Sequence, residues 1–240
     1  MTVPELPGSA QRTEMVSILT NASLPVWLVL PALAPLAAWA IERGAARLDG
    51  VPGTMPASVA PRAALLAGAL AVALSAAAWC DGVHVWPAAL LGWVLLALAR
   101  IDLGAGLLPD RLTLPLAVAG LGVAVLDDPS GSFGNAVAAA LLGALAGFGS
   151  LAAIAVAYRR WRGRDGMGLG DAKLLGAAGA WLGAAALPLT VCLAATGALA
   201  AVLAARRFGW RLERDGAIPF GPFLCLAVWI VFLTRGDMLS

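Results

Sequence analysis

Three of the fourteen acidic residues stand at the ends of apolar segments rather than in polar loops or tails: Asp102, Asp110 and Asp171. An ionisable group at membrane depth is costly and usually faces the interior of a helix bundle, so each is a candidate functional residue. Asp102 and Asp171 are predicted to lie on the same side of the membrane and on different helices. Two carboxylates brought close in a poorly hydrated place share a proton. One can then act as general base on a water while the other polarises a carbonyl, which is the chemistry of aspartic proteases.

The local sequence also allows a simpler role for two of these aspartates. Asp110 stands in Pro-Asp-Arg-Leu-Thr before an apolar run, a pattern that favours a helix cap. Asp171 follows Gly166, Gly168 and Gly170, and alternating glycines let the backbone approach a partner closely. Taken alone, Asp171 fits a cap and a catalytic carboxylate equally well.

No other part of the sequence offers a catalytic or metal-binding set. The chain has one histidine and three cysteines without CxxC spacing. It lacks HExxH, a serine-histidine arrangement and the phosphate-binding GxxxxGK[ST] motif. We therefore predict neither a metal nor a cofactor.

The composition predicts a membrane protein. Of 240 residues, 61% are hydrophobic and 12% charged, whereas soluble domains are about 45–50% apolar and about 25% charged. We predict an all-α polytopic bundle with about eight transmembrane helices. The predicted spans are approximately 25–42, 62–79, 84–100, 112–126, 135–158, 171–185, 187–205 and 217–234. Residues 1–24 are predicted to be a polar tail without the pattern of a cleavable signal peptide, and 25–240 a single membrane-embedded domain.

The arginines predict the orientation. Thirteen of the fifteen lie in alternate connections between the predicted spans. The positive-inside rule places these connections, and with them Asp102 and Asp171, at the cytoplasmic face, so that both chain termini lie outside. Short arginine clusters beside spans are typical of topology signals, and we predict no nucleic-acid partner. Six tryptophans near predicted helix ends or membrane boundaries are interpreted as interfacial anchors: Trp27, Trp39, Trp86, Trp93, Trp161 and Trp181.

Three segments, in order, resemble those of the prepilin peptidases, the type IV leader peptidases of bacteria. GMGLGDAKLLGAAGAWLG at 166–183 resembles the GxGD segment of that family. IDLGAGLLPDRLTLP at 101–115 resembles its first aspartate segment, and AIPFGPFLCLA at 217–227 its last-helix motif.

The resemblance implies an endopeptidase of the bacterial inner membrane. It would remove the basic leader of type IV prepilins or type II secretion pseudopilins at the cytoplasmic face, with these proteins and the bilayer as partners. The resemblance assigns catalysis to Asp102 and Asp171. The supporting or substrate-binding positions are Gly168, Gly170, Lys173, Asp110 and Pro219. Lys173 could snorkel to the interface, or it could position Asp171 or the substrate backbone.

One connection departs from the family. Many members carry a cytoplasmic domain after the first span, with paired CxxC motifs that hold zinc and are associated with N-methylation. Here residues 42–62 form a connection of 21 residues without cysteine. We therefore expect peptidase activity without methyltransferase activity. The alternatives are an ion-coupled transporter, which would also use intramembrane carboxylates, and a non-catalytic assembly factor.

Overall fold

The computed structural model describes residues 26–46, 62–80, 84–126, 132–163, 168–208 and 219–235. This described part contains eight α-helices and no strand. They are α1 Val26–Ala46, α2 Arg62–Trp79, α3 Val85–Ala105, α4 Asp110–Leu126, α5 Phe133–Arg162, α6 Leu169–Leu182, α7 Leu187–Arg207 and α8 Gly221–Arg235. A short 3₁₀ turn, Ala184–Ala186, joins α6 to α7. The predicted tail at 1–24 lies outside the described residues.

The eight helices correspond to the eight predicted spans, but several end later than hydropathy indicates. The span predicted for 84–100 continues as α3 to Ala105, and the span predicted for 135–158 continues as α5 to Arg162. Each of these two helices is followed by a glycine with positive φ, Gly106 at 62° and Gly163 at 69°. The left-handed conformation that ends a helix is accessible to glycine at little cost, so these helices stop at the glycine rather than at the first charge.

Half of the described helices have the length and hydropathy expected of a membrane span. In the described part, four helical segments are long and apolar enough to cross one: Arg62–Trp79, Val85–Ala105, Phe133–Arg162 and Ala184–Arg207. Large apolar side chains such as Leu142 and Val118 point outward from the bundle. A surface of this kind needs a lipid environment. The predicted helical membrane bundle is therefore confirmed, while the placement of the termini remains a prediction.

Helix α6 lies at the centre of the bundle. After Lys173 it contains only apolar residues and glycine, and ten of its fourteen residues are buried. Its closest neighbour is α5, where Gly143 faces the backbone of Gly179 and Gly147 faces the backbone at Leu175. An added Cβ at any of these glycines would meet backbone of the other helix, so small residues allow the two helices to touch.

The anchoring role predicted for two tryptophans is wrong. Trp181, at the end of α6, is only 6% exposed, and its Nε1 donates a hydrogen bond to the carbonyl of Leu116 on α4 at 2.8 Å. Trp93 is half-buried on α3, and its Nε1 donates to the carbonyl of Ala69 on α2 at 3.2 Å. A tryptophan inside a bundle can satisfy its N–H with a backbone carbonyl, and here these contacts join helices.

Candidate active site

Four helix ends meet around the two candidate aspartates. They are the carboxyl end of α3 and the amino ends of α4, α6 and α8. Three helix amino termini therefore converge on one acidic site. The partial positive charge of a helix amino terminus favours negative charge nearby, which offsets part of the cost of burying carboxylates.

Asp102 occupies the last turn of α3 rather than the loop after it. Its main-chain carbonyl accepts a hydrogen bond from the N–H of Gly106 at 2.8 Å, which closes the helix. The residue is 6% exposed, and its Oδ2 is buried without a hydrogen-bond partner in the described part of the chain. Burial of a carboxylate oxygen without a hydrogen-bond donor is costly, which is typical of functional sites rather than of structural aspartates.

Gly221, the first residue of α8, lies directly against the Asp102 carboxylate. A Cβ at Gly221 would be 2.5 Å from Oδ2 and 2.9 Å from Cγ of Asp102. The backbone N–H of Gly221 is directed at the same carboxylate, although it does not complete a hydrogen bond to Oδ2 within ordinary geometry. The site residues predicted from the sequence include Pro219 but not Gly221. The glycine in the quoted AIPFGPFLCLA motif was the available signal.

Asp171 is the third residue of α6, after Gly168 at the cap position. It is half-buried, and its carboxylate lies close enough to that of Asp102 for the two to interact electrostatically. The structure therefore brings together the pair of aspartates that the sequence places 69 residues apart. This juxtaposition distinguishes Asp171 from an ordinary capping residue, since its partner is a second carboxylate.

The glycines and the proline that were predicted to support the site lie at the amino ends of α6 and α8. Gly168 is exposed at the amino end of α6, and Gly170 packs against Leu108, whose Cβ would be 3.0 Å from an added Cβ. Pro219 lies two residues before Gly221, in the turn that leads into α8. All three positions are near helix ends that meet at the aspartates.

Lys173 and Asp110 form an ion pair between α6 and α4. The Nζ of Lys173 donates to both carboxylate oxygens of Asp110, at 2.7 and 2.9 Å. The cap predicted for Asp110 is wrong, because Pro109 holds that position and its carbonyl accepts from the N–H groups of Leu112 and Thr113. The lysine thus has an aspartate partner, which neither interpretation of Lys173 from the sequence included.

Cys225 lies one turn after Gly221 on α8 and is buried close to the two carboxylates. It is 3% exposed and within electrostatic reach of both Asp102 and Asp171. Its side chain belongs to the apolar core that surrounds α6. It therefore contributes to the apolar packing next to the acidic site.

The fold and the site define a multi-pass helical membrane protein in which two carboxylates meet at converging helix ends. The profile of the type IV leader peptidase family matches residues 89–204. A prepilin leader peptidase/N-methyltransferase from Xanthomonas campestris pv. campestris is 36% identical over 209 residues, covering 86% of this chain and 68% of that protein. One from Aeromonas hydrophila is 40% identical over 206 residues, covering 86% of this chain and 67% of that protein. No solved structure matches.

The chain belongs to the type IV leader peptidase family. The resemblance in the three quoted segments is thereby confirmed at the level of the family, and the chain is a peptidase by membership. The matched region contains Asp102, Asp110, Asp171 and Lys173, whereas Pro219 and Gly221 lie beyond it.

Proposed function

We propose that this protein is a membrane-embedded aspartic endopeptidase that cleaves the leader from type IV prepilins or type II secretion pseudopilins. Asp102 and Asp171 are its catalytic residues, and cleavage takes place at the cytoplasmic face of the bacterial inner membrane. The proposal is supported above all by one observation, the approach of the two carboxylates at the junction of four helix ends.

The geometry suits general acid–base catalysis of peptide hydrolysis. One carboxylate accepts a proton from a water as its oxygen attacks the scissile carbonyl carbon, and the protonated partner donates a hydrogen bond to the carbonyl oxygen. Collapse of the tetrahedral intermediate breaks the C–N bond, and the leaving amine takes up the proton that the first carboxylate accepted from the water.

We also propose that the chain lacks the second activity named for its relatives. These relatives are named prepilin leader peptidase/N-methyltransferase. In this chain the connection at 42–62 contains no cysteine, so it cannot supply thiolate ligands for a structural zinc there. The cleaved product is therefore expected to leave with an unmethylated amino terminus.

The test is cleavage of a co-expressed prepilin by chains with single substitutions. Asp102→Asn and Asp171→Asn preserve side-chain shape but remove the acid and base, so each should slow cleavage by about 10²–10⁴-fold. Immunoblots of membranes with equal enzyme levels measure cleavage, and mass spectrometry gives the cleavage site and the methylation state of the product. Glu42→Gln, which alters an exposed carboxylate on α1, is the matched control and should cleave normally.

Normal processing by both variants would exclude the aspartate mechanism. If purified protein in liposomes also took up an ion in a manner that depended on Asp102, the transporter alternative would replace it. Loss of cleavage with Asp110→Asn alone would move the first catalytic aspartate from Asp102 to Asp110.

A further inference from the structure

Lys173 is the chain's only lysine, since the other fifteen basic residues are all arginines. Within the described residues, its ammonium donates to the carboxylate of Asp110 on α4. The pair is partly exposed, with 38% of the lysine side chain and 54% of the aspartate side chain accessible. Ion pairs with this degree of exposure contribute little to folding stability, so a role in stability alone explains the contact poorly.

The pair is placed beside the catalytic aspartate but on another face of α6. Asp171 and Lys173 are two residues apart, about 200° around a helix, so their side chains reach different neighbours. Asp171 approaches Asp102 of α3, while Lys173 reaches Asp110 of α4. The two contacts therefore hold the first turn of α6 from two directions.

A second contact lies on the other side of Asp171 in the sequence. Gly170 packs against Leu108, a buried residue of the four-residue connection between α3 and α4. That connection is short and begins at Gly106, whose N–H donates to the main-chain carbonyl of Asp102. The position of Leu108 therefore depends on that of Asp102. Contacts at Gly170 and at Lys173 thus join the α3–α4 corner to the first turn of α6, with Asp171 between them.

We infer that Lys173 and Asp110 are positioning residues that fix the first turn of α6 against the α3–α4 corner, and so set the approach of Asp171 to Asp102. The ion pair and the contact between Gly170 and Leu108 act together. We call the four residues that form them, Leu108, Asp110, Gly170 and Lys173, the corner clamp. This inference rests on the proposed function, because it assigns the clamp to the arrangement of the two catalytic aspartates.

Kinetics of cleavage test the clamp. Asp110→Ala and Lys173→Gln should each lower kcat about threefold to tenfold with little change in KM, because they act on geometry at the reacting centre. The double variant should lose no more than either single variant, since both remove one interaction. Asp110→Asn should lose less than Asp110→Ala, because the amide oxygen still accepts from Lys173. Removing the exposed pair of Arg62 and Glu42 is the matched control and should leave kcat unchanged.

Reversal of the pair separates positioning from substrate binding. Asp110→Lys combined with Lys173→Asp should be more active than either reversal alone, because the combination restores opposite charges between α4 and α6. A raised KM with unchanged kcat would overturn the inference in favour of substrate contact. Additive losses in the double variant, or no rescue by the reversal, would also overturn it.

A measurement that needs no cleavage distinguishes failure of the clamp from failure of the proposed function. Leu107→Cys and Leu169→Cys place spin labels on two exposed positions beside the clamp, in a chain whose native cysteines are replaced by alanine. Asp110→Ala should change or broaden the dipolar coupling between the labels, including when Asp171→Asn is also present. An unchanged spectrum would overturn the clamp even if the aspartates prove catalytic, and a changed spectrum would support the clamp even if they do not.

Discussion

Gly221 contributes to the site because it has no side chain. The carboxylate of Asp102 occupies the space where a Cβ at this position would stand, and the backbone N–H of Gly221 is directed at that carboxylate. The first residue of α8 therefore packs directly against the Asp102 carboxylate and limits where it can lie. A methyl group at this position would overlap the Asp102 carboxylate.

We expect Gly221→Ala to lower the cleavage rate about a hundredfold, because small displacements of a catalytic group have effects of that size. The matched control is Gly197→Ala on α7, where the nearest atom to an added Cβ is an aromatic carbon of Phe223 at an ordinary 3.6 Å. Cleavage by both variants is compared at equal membrane levels of enzyme. Co-purification of uncleaved prepilin with each variant measures whether the substrate is still bound. Near-normal cleavage by Gly221→Ala would show that Asp102 is not held by α8.

At the scale of elements, α6 brings Asp171 to the site, and α5 supports α6. The contact between α5 and α6 is made through backbone at Gly143 and Gly179, so there is no flexible side chain that could yield to added volume. The opposite side of α5 has Gly149, where an added Cβ would meet nothing within 4 Å. Substitution of these two glycines by alanine is therefore expected to change the stability of the protein in opposite directions.

Gly143→Ala should destabilise the protein by about 1–3 kcal/mol or more, because overpacking moves backbone. Gly149→Ala should stabilise it by up to about 1 kcal/mol, since alanine favours a helix over glycine. Unfolding of the purified protein in detergent, followed by circular dichroism against denaturant, measures both changes. Equal stability of the two variants would contradict the close approach of α5 and α6.

Hydropathy and charge were enough to predict the helices and the meeting of Asp102 with Asp171, because burial in lipid constrains each segment separately. They gave the wrong end for α3, since backbone hydrogen bonds continue past Arg100 until Gly106 permits a left-handed turn. They also misplaced Trp181, whose hydrogen bond to Leu116 joins residues 65 positions apart. Contacts of this range depend on how helices pack, and no local pattern in the sequence contains them.

At the scale of the whole molecule, the order of the helices puts the aspartates and the arginine-rich helix ends on one side of the bundle. The carboxyl end of α3 and the amino ends of α4, α6 and α8 share the site. Arginines mark the carboxyl ends of α5 and α7, the helices that precede α6 and α8. A chain that crosses the membrane in successive helices would place these arginine-rich ends on the side of the aspartates, and the positive-inside rule predicts that this side is cytoplasmic.

Single cysteines in a cysteine-free chain test this orientation. Trp161→Cys lies at the arginine-rich end of α5 and Phe133→Cys at its other end, and both positions are well exposed, at 84% and 70%. A membrane-impermeant maleimide should label Phe133→Cys but not Trp161→Cys in spheroplasts, and should show the opposite preference in inverted vesicles. Detergent-solubilised protein, in which both cysteines should react, controls for intrinsic reactivity. Labelling of Trp161→Cys from outside would place the aspartates on the outer face, where they could not meet a leader before it crosses the membrane, and would require a different substrate.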